Sequence, residues 1–173
     1  MKNFLKHLVL IFVFLSNIFL CNAQAVKLDE KYGFRDLNFG QDVSVIQDLV
    51  LIRSSGKHKW YVRSADKLKI RDALLTSIWY RFYKDKLYAI EIIAPLTMGQ
   101  SLLKELQAAY GDGRDYTLYN DVRWEVDGEK TALTYKDDSA SNKAEVEIWS
   151  DIIGNQMIAD NKNEARKKAQ ADL

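Results

Sequence analysis

Four residues offer the most chemistry at a readable spacing: Trp79, Arg81, Tyr83 and Glu91. They alternate with apolar residues in the segment Leu75 to Leu96, where Ile78, Tyr80 and Phe82 interleave with Trp79, Arg81 and Tyr83. Beyond Lys84-Asp85-Lys86, Tyr88, Ile90 and Ile92 interleave with Leu87, Ala89 and Glu91. Two period-2 runs around a short polar turn predict a β-hairpin. A three-residue loop would pair Phe82 with Tyr88, Tyr80 with Ile90 and Ile78 with Ile92, an all-apolar set. A one-residue slip would scramble the two faces. The second face then carries Trp79, Arg81, Tyr83, Leu87, Ala89 and Glu91, with Arg81 opposite Ala89 and diagonal to Glu91. Two aromatic rings around an Arg/Glu pair could hold a sugar ring or a peptide. Cross-strand aromatic and charge pairs also stabilise a half-exposed sheet without any ligand.

Other reactive side chains give less. His7 lies in the basic start of the chain, which leaves His58, between Lys57 and Lys59 and with no partner in view. No serine sits in a nucleophile elbow. Asp112, Asp115, Asn120 and Asp121 cluster, as do Asp137 and Asp138, but neither set follows the order of a calcium loop. Asp and Asn favour tight turns, which accounts for both groups. The glycines at 33, 40, 111 and 113 form no phosphate cradle. The sequence therefore points to no catalytic residue, no metal site and no cofactor. A pair of carboxylates suited to hydrolysis cannot be picked out of one sequence, since it is defined by separation across a cleft.

The N-terminus bears on compartment. Lys2 and Lys6 precede the unbroken apolar run Leu8 to Leu15, and Cys21-Asn22-Ala23-Gln24 follows. Basic, apolar, then small-x-small is the pattern of a secretory signal, with cleavage expected between Ala23 and Gln24. An uncleaved anchor would need about 20 apolar residues. A lipoprotein acylated on Cys21 would carry a small residue just before it, where Phe19 and Leu20 are bulky. Cleavage removes the single cysteine, so the exported domain is expected to hold no disulfide, to keep no stable membrane span, and to work in the periplasm or outside the cell. About 150 residues are enough to bury a stable core without staples.

Removing Lys2 and Lys6 leaves 23 basic against 24 acidic residues. That balance argues against a nucleic-acid partner, which calls for a basic stripe. Hydrophobic residues make up 47%, so a folded domain is expected rather than disorder. There is one proline, Pro95, and no internal repeat.

The remaining elements follow from local signals. Residues 32–40 read as a strand ending at Gly40, and Asp42 opens a short helical turn. Strands are expected at 49–53 and 57–63. Thr97 is the expected N-cap of a helix over 98–110, stopped by Gly111. Strands 122–126 and 131–135 flank the turn pair Asp127-Gly128, and 145–149 is another. From Asp151 the chain turns helical, docked to about residue 160, with a charged helical tail over 161–173. Antiparallel runs broken by isolated helices define α+β. The expected architecture is a twisted antiparallel sheet with one main helix packed on one face and a C-terminal helix.

The runs GFRDLNFG, IWYRFYKDKLYAIEI and AAYGDG, followed by a tryptophan strand, resemble a pattern of small exported bacterial proteins of unknown function. The likeness covers most of residues 32–150. It implies export and a compact α+β domain and supplies no activity. The expected function is an exported, non-catalytic binding or accessory module whose partner is an unknown ligand or an envelope protein. The alternatives are a small secreted hydrolase working through a carboxylate pair, and an envelope structural or assembly protein.

Overall fold

The computed structural model describes residues 28–116, 121–124 and 130–171. The expected leader 1–23, its cleavage pair Ala23 and Gln24, and the Asp127-Gly128 turn lie outside the described residues. So does Asn120.

Eight strands form one antiparallel sheet in the order β3 (Leu49–Ser55), β4 (His58–Arg63), β7 (Ser77–Tyr83), β8 (Lys86–Pro95), β12 (Lys143–Ser150), β11 (Thr131–Asp138), β10 (Asp121–Trp124), β9 (Arg114–Tyr116). Two small hairpins stand apart, β1 (Gly33–Phe34) with β2 (Leu37–Asn38), and β5 (Lys69–Ile70) with β6 (Ala73–Leu74). Two long helices lie among the described residues, α1 (Gly99–Tyr110) and α2 (Asp151–Ala171), and residues 28–31 are also helical. The class is broadly α+β, dominated by sheet.

The centre of the sheet is the β7–β8 hairpin, and its register departs instructively from expectation. Tyr80 faces Ile90, Ile78 faces Ile92 and Arg81 faces Ala89, as the alternation requires. The turn, however, holds two residues, not three. Lys84 and Asp85 both take positive φ (47° and 63°), and Tyr83 pairs with Lys86. That is the geometry a tight hairpin prefers, because its twist matches that of the strands. Phe82 consequently faces Leu87 rather than Tyr88, and a bulge between Arg81 and Phe82 restores the register beyond it. A bulge inserts one unpaired residue and changes which side of the sheet its neighbours occupy. Leu87 therefore joins the main core with Phe82, while Tyr88 clusters with Tyr83 and Ala89 on the opposite face.

Sealing this end falls to residues 40–43. β12 stays beside β8 only as far as the Trp149–Ala89 pair. Beyond it Leu87 donates its N–H to the Gln41 carbonyl (2.9 Å) and accepts from Gly40 N–H (2.8 Å). Asp42 forms a bridge to Lys86 and also caps the 3-10 turn Val43–Val45 through its side chain. The short turn expected after Asp42 is thus present.

One face of the sheet holds the main buried cluster, including Ile78, Tyr80, Phe82, Ile90, Ile92, Leu133, Val146 and Ile148, with Leu102 and Leu106 of α1 in the same cluster. Residues 32–40 form the β1–β2 hairpin rather than a single strand, because Arg35 (φ 54°) turns the chain. Gly33 is required there: a Cβ on it would lie 2.0 Å from the Leu37 carbonyl oxygen. Thr97 does not cap α1. A 3-10 turn, Leu96–Met98, leads directly into the helix, whose cap position is Met98 with no side-chain bond. Gly111 ends α1 at φ 87°, its N–H on the Gln107 carbonyl.

Helix α2 begins at Ser150, whose buried hydroxyl accepts from Ile153 N–H (3.3 Å) and bonds Tyr32 Oη (2.8 Å). A side-chain oxygen at that position satisfies one of the free N–H groups of a helix start. The helix runs unbroken through residues 160–161, and Glu164 pairs with Lys57. Asp160 anchors it to the hairpin turn, accepting from Tyr83 Oη (2.8 Å) and pairing with Lys84 Nζ (2.5 Å). The Lys84 and Tyr83 contacts hold the Asp160 carboxyl down to about 2. A depressed carboxyl stabilises the fold above its unfolded value near 4, and that contribution fades as pH falls toward 2. Acidification from pH 5 to 2 is therefore expected to loosen α2, seen as a change in Trp149 fluorescence, and Asp160→Asn is expected to lose that acid step. An unaltered acid transition in the variant would rule Asp160 out as the latch.

Candidate functional site

The second face of the sheet gathers the residues singled out from the sequence, together with others contributed by β4 and β12. Strand pairing sets two rows across it. Trp60, Arg81, Ala89, Trp149 and Ala132 lie side by side on five adjacent strands. In the next row Trp79, Glu91, Glu147, Thr134 and Arg123 are neighbours. Side chains on one face repeat every second residue, so each row stacks on the next.

Arg81 is the hub. Its Nη1 reaches Glu147 Oε1 at 2.7 Å and Glu91 Oε2 at 3.9 Å. Its Nε donates to Tyr88 Oη at 3.1 Å, and the guanidinium lies 5.3 Å from the Tyr88 ring centre. Arg81 and Glu91 are about three-quarters buried, so these charges are partly shielded from water. Such a guanidinium, held by two acids and a ring, is fixed in direction as well as in charge. The Glu91 carboxyl is raised above its ordinary value chiefly by burial; Arg81 opposes the rise, while Glu147 and Glu145 add to it.

Trp79 is half-buried and donates its indole N–H to Ser77 Oγ (3.0 Å). Trp149, also half-buried, donates to Asp151 Oδ1 (2.8 Å). The Trp60 ring carries the Arg53 guanidinium 4.9 Å from its centre. Tyr83, by contrast, is 2% exposed and clusters with Tyr88 and Ala89, with Ile153 and Met157 of α2 packed against them. Its ring supports the site from beneath α2 and is not on the open part of the face. Leu87, expected on this face, is on the other because of the bulge. A hollow of about 170 Å³ remains at the α2 margin, with Arg81, Tyr88, Glu147, Trp149 and Met157 in its wall.

Glu147 and Trp149 were visible as alternating members of a strand, but only the strand order puts them beside Arg81. Chains of 50 or so residues separate β8 from β12, and no local signal carries that pairing. His58 is half-buried. Its ring lies 5.1 Å from that of Tyr83 and 6.0 Å from that of Trp60, and burial, then Arg81 and Lys57, lowers its pKa. Of the aspartates noted in sequence, Asp138 does turn chemistry, accepting from Ala140 N–H, Ser141 N–H and Ser141 Oγ, whereas Asp121 and Asp137 lie in strands, Asp121 paired with Arg123 and Asp137 accepting from Tyr135 Oη. Among the described residues no group of three or more His, Cys, Asp or Glu could hold a metal ion, and no helix is long and apolar enough to cross a membrane.

Compared with protein-family models, with curated proteins and with solved structures, the chain finds no match.

Proposed function

We propose that the protein is an exported, non-catalytic binding module, acting in the periplasm or outside the cell, whose ligand rests on the second sheet face at Trp79, Arg81, Glu91, Glu147 and Trp149. The observation that carries this reading is the fixed Arg81 hub set between half-exposed indoles. Indole faces suit the apolar faces of sugar rings, and oriented carboxylates and guanidinium suit their hydroxyls. We read α1 as the cover of the opposite face, with Leu102 and Leu106 in the main core, so that the part of this face beyond the α2 contacts with Tyr83, Tyr88 and Ala89 is left to the ligand.

Truncating Trp79 to Ala tests the platform. Its half-exposed ring is expected to contribute less than about 1 kcal/mol to stability, since substitutions away from tightly packed features have small effects. Urea titration of the variant should therefore overlay the parent. Binding to soluble envelope oligosaccharides, followed by fluorescence of the remaining tryptophans, should weaken about tenfold or more. A loss of several kcal/mol, the signature of a packed core ring, would discard the platform.

The hydrolase reading gains one specific support. Glu91 and Glu147 are cross-strand neighbours, both paired with Arg81, and burial raises the Glu91 carboxyl. A carboxyl raised by its surroundings suits the acid role of a hydrolytic pair. Turnover of chromogenic glycosides that Glu91→Gln abolishes would favour it over the binder.

A further inference from the structure

We propose that the hollow between the β1–β2 turn and residues 63–69 binds a small polycarboxylate, one of whose carboxylates takes the place of Asp36 on Arg63. This site is separate from the second sheet face and does not rest on that reading.

The hollow measures about 330 Å³ and is lined by Arg35, Asp36, Arg63, Asp66, Lys67 and Lys69, with Ala65. Four cations face two acids there, and the two acids differ in kind. Asp66 is spent within the fold: its side chain is 6% exposed, one oxygen holds Arg35 Nη1 (3.0 Å) and the other accepts from Tyr80 Oη (2.7 Å). Arg35 is spent as well, its Nη2 donating to the carbonyls of Lys67 (2.7 Å) and Lys69 (3.2 Å). Those bonds fix the backbone from which both lysines project.

Asp36 is placed differently. It sits on the two-residue turn of β1–β2, 63% exposed, and grips Arg63 with both oxygens at 2.9 and 3.1 Å. Arg63 itself is 14% exposed, and its Nε is buried with no acceptor. A buried donor without a partner is uncommon and signals an incomplete environment. Among the described residues neither Lys67 nor Lys69 has an ion-pair partner. The arrangement is a fork already shaped for a planar carboxylate, filled by the most exposed acid of the group, with two uncommitted ammonium groups beside it. A free polycarboxylate would exchange with Asp36 on the fork, carboxylate for carboxylate, and place its second acid near the lysines. Bidentate geometry favours a carboxylate here over a halide or a point-like anion.

Citrate is the probe, titrated into the full chain by calorimetry and by amide NMR shifts, with inorganic phosphate and chloride at matched ionic strength. Citrate should bind and shift residues 35–37 and 63–69. Asp36→Asn, which removes the internal competitor, should tighten it several-fold. The double variant Lys67→Ala/Lys69→Ala, at two exposed positions, should weaken it about tenfold and flatten its salt dependence. Arg63→Lys, which keeps the charge and loses the fork, should also weaken it. The proposal is overturned if citrate fails to bind at about 10 mM, if Asp36→Asn leaves affinity unchanged or lower, if the lysine variant binds as the parent does, or if phosphate binds as tightly as citrate.

Discussion

Phe82→Ala is expected to lower unfolding stability by about 3–5 kcal/mol, the range for emptying a buried aromatic site. Phe82 has no exposed surface, lies in the main cluster, and meets the Tyr61 ring edge-on with centroids 5.1 Å apart. It sits beside the bulge, where Leu87 is fixed by its bonds to Gln41 and Gly40. Neighbours tethered in this way cannot collapse into the void, which places the cost toward the upper end. Urea unfolding should show a lower midpoint at an unchanged slope. A loss below about 1 kcal/mol, within the range of a surface substitution, would mean that Phe82 is not at the centre of the core.

The contrast between Phe82 and Trp79, adjacent in fold and alike in chemistry, shows what was legible in the sequence. Alternation correctly assigned Ile78, Tyr80 and Phe82 to one face and Trp79 and Arg81 to the other. It failed at Leu87 and Tyr88. On β8 both faces are apolar near the turn, so the pattern Leu87, Tyr88, Ala89, Ile90 reads equally well in either phase. A bulge leaves no mark in such a run. The signal that could have revealed it is Lys84-Asp85, two polar residues able to adopt positive φ, but neither is the glycine that usually announces a tight hairpin turn. Likewise the helix after Pro95 was legible from its periodicity, whereas its cap was not, because the hydroxyl expected from Thr97 gives way to a 3-10 turn over Leu96–Met98.

Asp66→Ala should cost about 2–3 kcal/mol, because it strands two partners at once. Tyr80 Oη, on a side chain with no exposed surface, would lose its acceptor, and an unsatisfied buried donor costs about 1–3 kcal/mol. Arg35 would lose its carboxylate but keep two carbonyl acceptors and a quarter of its surface in water, which limits its share. Burial, with the Asp66 bond second, pushes the Tyr80 hydroxyl well above its ordinary value, so it remains a donor throughout the accessible pH range. The decisive measurement is a double-mutant cycle. Tyr80→Phe in the Asp66→Ala background should recover about 1 kcal/mol, since the orphan hydroxyl is gone. Strict additivity of the two single changes would show that the hydroxyl and the carboxylate are not coupled.

This network was illegible from sequence for a plain reason. Arg35, Asp66 and Tyr80 lie on three separate elements, and each is unremarkable where it stands in the chain. The same holds for the second face. Trp79, Arg81 and Glu91 share one hairpin and could be grouped by spacing, whereas Glu147, Trp149 and Trp60 arrive through strand order.

That strand order has a consequence for how the polypeptide is made. β8, the most thoroughly buried strand, has β7 on one side and β12 on the other, and Val146 pairs with Ile92. A nascent chain that has reached only α1 holds β8 with one flank bare, a greasy ribbon of unpaired amides open to other chains. Synthesis must run through Ser150 before that flank can close. A chain halted near residue 140 should clump rather than persist as a smaller soluble piece.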